Sequence, residues 1–224
     1  QQNGFEPQSS KATRITFTNR LKDEQIKRNR NLLNGSGVAA GDIDGDGWID
    51  LYFARLDGPN KLYKNLGNWK FQDITGKAGL KLDNQFSTGV NFVDIDGDTD
   101  LDLLVTALGS TNKIFINDGT GRFKEKTGAL GTGIHGSMSS AFGDIDRDGD
   151  LDWVVGRHGT MWRFDYRGPD RWVRHDMGSA AQTDVGGCAF DIDGDGWVDQ
   201  VSGTAWYRNS GAPREKGFTA HENG

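Results

Sequence analysis

Sixteen aspartates, in four sets of four, have the type and spacing to hold hard cations. Each set reads Asp-x-Asp-x-Asp-x-x-x-Asp: Asp42, Asp44, Asp46 and Asp50; Asp94, Asp96, Asp98 and Asp102; Asp144, Asp146, Asp148 and Asp152; Asp191, Asp193, Asp195 and Asp199. Carboxylates packed this closely repel one another, raise one another's pKa and resist ordering unless a cation neutralises them. Calcium takes about 6–8 oxygen ligands at about 2.3–2.6 Å in a flexible cage. Aspartates at positions 1, 3 and 5 of a tight loop can turn toward one centre. The carbonyl at position 7 (Trp48, Asp100, Asp150 or Trp197) and the aspartate at position 9 then close the cage. The motif holds no sulfur or imidazole, which disfavours zinc and copper. Magnesium keeps several waters and suits an all-protein cage poorly.

The elements around the loops decide which calcium loop this is. An EF-hand needs a bidentate Glu at position 12, and here that position holds Phe53, Val105, Val155 or Ser202. Short apolar runs stand on both sides, such as Gly89-Val90-Asn91-Phe92-Val93 before the second loop and Leu103-Leu104-Val105 after it. The loops are therefore expected to join strand to strand. Position 6 is Gly47, Gly149 and Gly196, which tolerate positive φ, but Thr99 in the second loop. The second site is expected to be distorted or weaker.

The first aspartates lie 52, 50 and 47 residues apart, and the similarity continues beyond them. Lys61-Leu62-Tyr63-Lys64-Asn65-Leu66-Gly67 aligns with Lys113-Ile114-Phe115-Ile116-Asn117-Asp118-Gly119, and Phe71 with Phe123. Each stretch reads as strand, Asn/Gly turn, strand. Trp162-Arg163-Phe164 and Trp206-Tyr207-Arg208-Asn209 are the third-strand candidates of the later units. About four strands in roughly 50 residues is the content of a propeller blade. The predicted fold is all-β: a propeller of four-stranded antiparallel blades, four in this chain, closed or as part of a ring. The predicted organisation is an N-terminal strand and linker over 1–34, then a propeller region over 35–224. Its blades fall near 35–80, 87–130, 137–178 and 184–223. The charged stretch Leu21 to Leu33 is the one helical candidate, and a surface loop is the stronger expectation for it.

Gly41-Asp42-Ile43-Asp44-Gly45-Asp46-Gly47-Trp48-Ile49-Asp50-Leu51 resembles the FG-GAP/VCBS repeat of calcium-loop propellers in integrin α-subunits and secreted bacterial proteins. All four loops match it, and the first two units are most similar to the bacterial ASPIC/UnbV-associated subtype. The resemblance implies calcium at up to four loops. It also implies a family of adhesion modules, lectins and domains attached to polysaccharide-degrading enzymes. Family propellers usually have about seven blades. Four blades leave three arrangements open: a compact ring, a partial ring extended by another chain, and a piece of a longer polypeptide. The strand-like Arg14 to Asn19 resembles a fourth, outer strand. An open end exposes strand edges and apolar faces that invite association.

Composition agrees with a ligand role for the acid. The formal charge is −6, and half of the 32 acidic residues are the four-per-loop aspartates. Four Ca²⁺ would bring the charge from −6 to +2. No basic stripe interleaved with aromatics points to nucleic acid, and no apolar run to membrane insertion. The small patch Lys22, Lys27, Arg28 and Arg30 reads as solvated loop. The single cysteine, Cys188, is expected to be buried. Calcium loops of modest affinity suit millimolar calcium, so a secreted or periplasmic location is expected.

No catalytic motif appears, and no catalytic residue is assigned. His175 and His221 recur at similar points in the fourth strands and read as packing. His135 and His158, in glycine-rich links, are the better placed at a loop mouth. Of seven tryptophans, Trp48 and Trp197 are expected to be exposed beside the metal loops, where they could stack on sugar. Those on or near strands, Trp69, Trp153, Trp162, Trp172 and Trp206, are expected to fill the core. The expected function is non-enzymatic binding of a protein or glycan, with two alternatives. One is a domain of a polysaccharide-degrading enzyme, the other a structural subunit assembling through open blade edges.

Overall fold

Each aspartate loop turns the chain between the first two strands of its own antiparallel sheet. The computed structural model describes residues 6–28, 32–33, 35–83, 85–128, 139–157, 160–168, 171–177, 187–202, 205–213 and 218–222. Sheet one holds β1 (Val38–Gly41), β2 (Asp50–Phe53), β3 (Lys61–Asn65) and β4 (Phe71–Asp73). Sheet two holds β5 (Phe86–Val93), β6 (Asp102–Leu108), β7 (Lys113–Asn117) and β8 (Phe123–Glu125). Sheet three holds β9 (Ser139–Gly143), β10 (Asp152–Arg157), β11 (Thr160–Tyr166) and β12 (Trp172–Asp176). Sheet four holds β13 (Gly187–Phe190), β14 (Asp199–Ser202), β15 (Ala205–Asn209) and β16 (Phe218–Glu222). Strand order follows the chain in every sheet, giving four propeller blades. Strands, not helices, flank each loop, as the β-branched and aromatic runs demand.

The blades stack face to face, which buries the side chains that alternate along each strand. Tyr52 and Leu62 of blade one pack with Val90, Leu103 and Phe115 of blade two. Leu104 and Ile114 of blade two pack with Trp153, Val155 and Phe164 of blade three. Val154 and Met161 of blade three pack with Ala205 and Tyr207 of blade four. The first strands form the inner row: β1 contacts β5, β5 contacts β9, and β9 contacts β13. Among the described residues no comparable contact joins β13 to β1, so the blades form an arc. Gly41 lets blade two approach closely, since a Cβ there would lie 2.7 Å from Leu101 Cδ1.

Three local expectations change. Residues 14–19 form no strand. They cross the outer face of blade one, where Phe17 stacks on Phe53 with ring centroids 4.9 Å apart and the Thr16 amide donates to Tyr63 Oη. Within the Leu21 to Leu33 stretch the structure has a helix, α2 (Asp23–Arg28), after a four-residue α1 (Ser10–Thr13). Asp23 and Glu24 suit its N-terminal dipole, and Gln25 Oε1 reaches back to the Lys22 amide at 2.8 Å. Cys188 is exposed, not buried. It shares a row with Val201, Trp206 and His221, the register counterpart of rows that the next blade covers in blades one to three. No described helix is long and apolar enough to cross a membrane.

Candidate metal centres

The four loops share one hydrogen-bond scheme that begins at the ninth position. Asp50, Asp102, Asp152 and Asp199 are buried. Each accepts the amide of the isoleucine seven residues earlier: Ile43, Ile95, Ile145 and Ile192, at 3.0–3.3 Å. In three blades the second oxygen takes the amide of the last residue of the third strand: Asn65, Asn117 and Asn209, at 2.7–2.8 Å. The first aspartate closes the loop over itself, as when Asp42 accepts the amides of Asp46 and Gly47. The fifth accepts the amide of position 7, from Trp48, Asp100, Asp150 or Trp197. The ninth aspartate therefore belongs to the scaffold as well as to the predicted ligand set.

Carboxylate oxygens converge in each loop. Asp42, Asp44 and Asp50 each bring an oxygen within 4.8 Å of the others, as do Asp94, Asp96 and Asp102, and Asp191, Asp193 and Asp199. Loop three gathers Asp144, Asp146 and Asp148, and separately Asp146, Asp152 and Asp165. The fifth-position residues Asp46, Asp98 and Asp195, and the side chains of Asp100 and Asp150, stand outside these clusters. One oxygen each of Asp44, Asp96, Asp144 and Asp152 is buried without a hydrogen-bond partner. An all-oxygen set with buried, unsatisfied carboxylate oxygens fits a hard divalent cation.

Electrostatics show the cost of these clusters without metal. Burial pushes the Asp102 carboxyl up to about 6, with neighbouring Asp96 and Asp98 adding to the rise. Burial also raises Asp152, to about 7, with Asp146 and Asp165 contributing. Asp50 and Asp96 are raised for the same leading reason.

Basic side chains answer part of this charge. Lys64 contacts both Asp44 and Asp46. Arg208 lies 2.5 Å from Asp193 and 2.9 Å from Asp195. In loop three, Arg167 lies 2.8 Å from Asp148 and from Asp165 and 3.6 Å from Asp146. The buried Asp165 also has Arg163 Nε at 2.5 Å and His175 Nε2 at 2.9 Å. Hydrogen bonding to Lys64 holds Asp46 below the usual carboxylate range, and Arg208 does the same for Asp193.

The second loop is not distorted. Thr99 takes φ +78°, beside +84°, +94° and +87° at Gly47, Gly149 and Gly196. Its amide reaches Asp94 at 2.9 Å, as Gly47 reaches Asp42 at 2.8 Å. The scheme holds Thr99 in a glycine conformation, so the departure is stored as backbone strain.

The tryptophans sort differently from expectation. Trp48 is 50% exposed, but Trp197 is only partly so, with the Arg147 guanidinium 4.2 Å from its ring centroid. Trp153 and Trp162 are core, as expected, whereas Trp69 is 68% exposed at the β3–β4 turn. His175 reaches Asp165 and His221 stacks on Trp206 at 4.9 Å, in matching register. His135 and His158 lie outside the described residues.

Sequence reasoning missed Lys64, Arg167, Arg208 and Asp165, and the role of the third-strand asparagines. The signal was present: the residue after each third-strand aromatic is Lys64, Ile116, Asp165 or Arg208.

A family model described as an FG-GAP-like repeat matches residues 42–105 and again 94–155, together just over half of the chain. Cartilage acidic protein 1 of Xenopus tropicalis is 24% identical over 188 residues, covering 75% of this chain and 28% of that protein. The Mus musculus protein of the same name is 24% identical over 182 residues, with the same coverage of each. The chain thus spans less than a third of the length of these relatives. Among solved structures, an Agrocybe aegerita lectin that specifically recognises non-reducing terminal N-acetylglucosamine superposes with a TM-score of 0.51 at 18% identity. The match covers 82% of this chain and 50% of the lectin, and the likeness is one of fold.

Proposed function

This chain belongs to the FG-GAP-like repeat family, and we propose that it is a non-enzymatic, calcium-binding propeller module, acting outside the cytoplasm, that binds a glycan or protein ligand. In this reading the converging aspartates of each loop hold Ca²⁺, with the position-7 carbonyls of Trp48, Asp100, Asp150 and Trp197 completing the cages. The ion neutralises the buried carboxylates and fixes the strand-to-strand turn. It stabilises the folded state because the unfolded chain has no cage.

One observation carries the binding role. Trp69 stands at the tip of the β3–β4 turn with φ +58°, where the matching residue of blade two is Gly121 with φ +75°. A bulky residue in the left-handed region costs about 1 kcal/mol or more, and at 68% exposure Trp69 gains little packing in return. Trp48, which lies against Gly67 of the same turn, is also about half exposed, as are Leu66 in the turn and Ile49 in the first loop. An exposed aromatic platform next to a cation suits the apolar face of a sugar ring or an apolar protein side chain. The test is a glycan and protein array in calcium buffer with the full chain and Trp69→Ala. Binding lost in the variant, with its melting temperature kept, supports the reading. Equal binding by both overturns the role of this platform.

A second reading, assembly through blade faces, rests on a different observation. Leu101 and Val198, at loop position 8, pack on Gly41 and Gly143 of the preceding blades. Their counterpart in blade one, Ile49, is 51% exposed, and the counterpart of Gly41 in blade four, Phe190, is 50% exposed. These ends are complementary in kind. Sedimentation in millimolar calcium separates the readings: a concentration-dependent dimer or larger species favours assembly, and a strict monomer contradicts it.

A further inference from the structure

We infer that the loops differ in their need for metal: Lys64, Arg167 and Arg208 are tethered cations that compete with calcium in loops one, three and four, whereas loop two lacks one and is the tightest calcium site. The inference rests on the calcium reading above and ranks its four sites.

Strand register carries the comparison. Tyr63 pairs with Leu51, Phe115 with Leu103, Phe164 with Trp153 and Tyr207 with Gln200. Those partners all stand one residue beyond the ninth aspartate of their loops. The next third-strand residue is then Lys64, Ile116, Asp165 or Arg208. Lys64 and Arg208 lean over their loops onto the aspartates at positions 3 and 5. In blade three the position carries Asp165, and Arg167, two residues on, supplies the cation to Asp146 and Asp148. Three different stretches of chain thus deliver a cation to the same two loop positions.

Ile116 delivers none. It packs partly against the apolar interface with blade three. Among the described residues no lysine or arginine lies within ion-pair distance of Asp96 or Asp98. The space is open instead: a cleft of about 440 Å³ reaches Asp96 past Ile116, Asp118, Arg122 and Lys124. Loops two and three each carry a fifth carboxylate at position 7, Asp100 and Asp150. Of these two, only loop two has no internal competitor for a divalent ion to displace. A metal entering loops one, three or four must first break the ion pairs there, and that loss is subtracted from its affinity. Thr99 already takes the left-handed conformation of its glycine counterparts, so its strain is in place before a cation enters.

The experiment is calcium calorimetry on the metal-stripped full chain. The chain is expected to show one tight site ahead of a weaker class. Ile116→Lys is expected to weaken that tight site by about tenfold or more, while Ile116→Leu leaves it intact. Lys64→Met is expected to add a second tight site, and it tests the idea without touching loop two should Ile116→Lys fail to fold. Unchanged isotherms in folded Ile116→Lys and in Lys64→Met overturn the ranking while calcium binding stands. An absence of calcium heats in every protein overturns the underlying metal reading instead.

Discussion

Asn117 Nδ2 donates to the main-chain carbonyl of Ile43 at 2.8 Å, tying the third strand of blade two to the aspartate loop of blade one across 74 positions of chain. The same amide reaches the Leu101 carbonyl at 3.1 Å, and its backbone NH reaches Asp102. One side chain therefore links two loops and two blades. Asn209 repeats the arrangement on Ile145 and Val198 at the junction of blades three and four. In blade one, Asn65 Nδ2 donates to the Ile49 carbonyl at 3.0 Å, within its own loop.

Asn117→Ala leaves buried carbonyls without their donor. The expected cost is about 1–3 kcal/mol, read as a lower midpoint in urea unfolding. Asn65→Ala, at a more exposed site, is expected to cost less. Equal losses would show that the inter-blade bond adds nothing.

Thr99→Gly should stabilise the chain. The left-handed conformation costs a β-branched residue about 1–2 kcal/mol, partly offset by the greater backbone entropy of glycine in the unfolded state. A gain of up to about 1 kcal/mol is expected in chemical unfolding. A loss would show that Thr99 makes contacts that outweigh its strain.

Arg163 occupies, in blade three, the register position of Leu62, Ile114 and Trp206. It is buried beside the buried Asp165. Removing one partner of a buried pair leaves a charge without compensation, at about 3–5 kcal/mol. Arg163→Ala is expected to fall in that range, moderated by Arg167. A change below about 1 kcal/mol would assign the compensation to Arg167 and His175 instead.

Metal-free and calcium-bound protein should respond oppositely to pH. Asp102 and Asp152 are raised from 3.8 to about 6 and about 7. Between those values the folded state binds more protons than the unfolded state, so metal-free stability falls as pH rises through the window. Calcium needs the ionised carboxylates, so its stabilising increment grows over the same range. Melting curves at pH 5 and pH 8, with chelator and with calcium, should show the two lines diverging. A metal-free melting temperature that rises from pH 5 to pH 8 would contradict the assignment.

The architecture was legible because its signals are local and repeated. Each aspartate loop sits between apolar runs, and the aromatic–x–Asn pattern in three of the four third strands fixes register without tertiary information. The site was legible as a donor set, since carboxylate spacing alone selects a hard cation. Long-range consequences were not legible. Asn117 looks like a turn residue until its partner, Ile43, is placed by blade stacking. Trp69 looks like a strand aromatic until the turn shows it outside the sheet. Residues 14–19 alternate like a strand, yet Phe17 settles on the Phe53 ring and the Thr16 amide on Tyr63 Oη, so side-chain contacts hold the segment and it pairs with no strand among the described residues. Cys188 lies on a first strand like its buried counterpart Ala39, but its row has no blade above it among the described residues.

The most direct test of the central claim, that calcium in the aspartate loops orders the propeller, is scanning calorimetry of the full chain in excess EGTA and in millimolar calcium. A single site occupied at about 100 times its Kd adds about 2.7 kcal/mol, roughly 5–10 °C for a domain of this size. The account predicts a rise of at least that amount, abolished by chelator and restored by added calcium. Identical melting temperatures in the two buffers would contradict it.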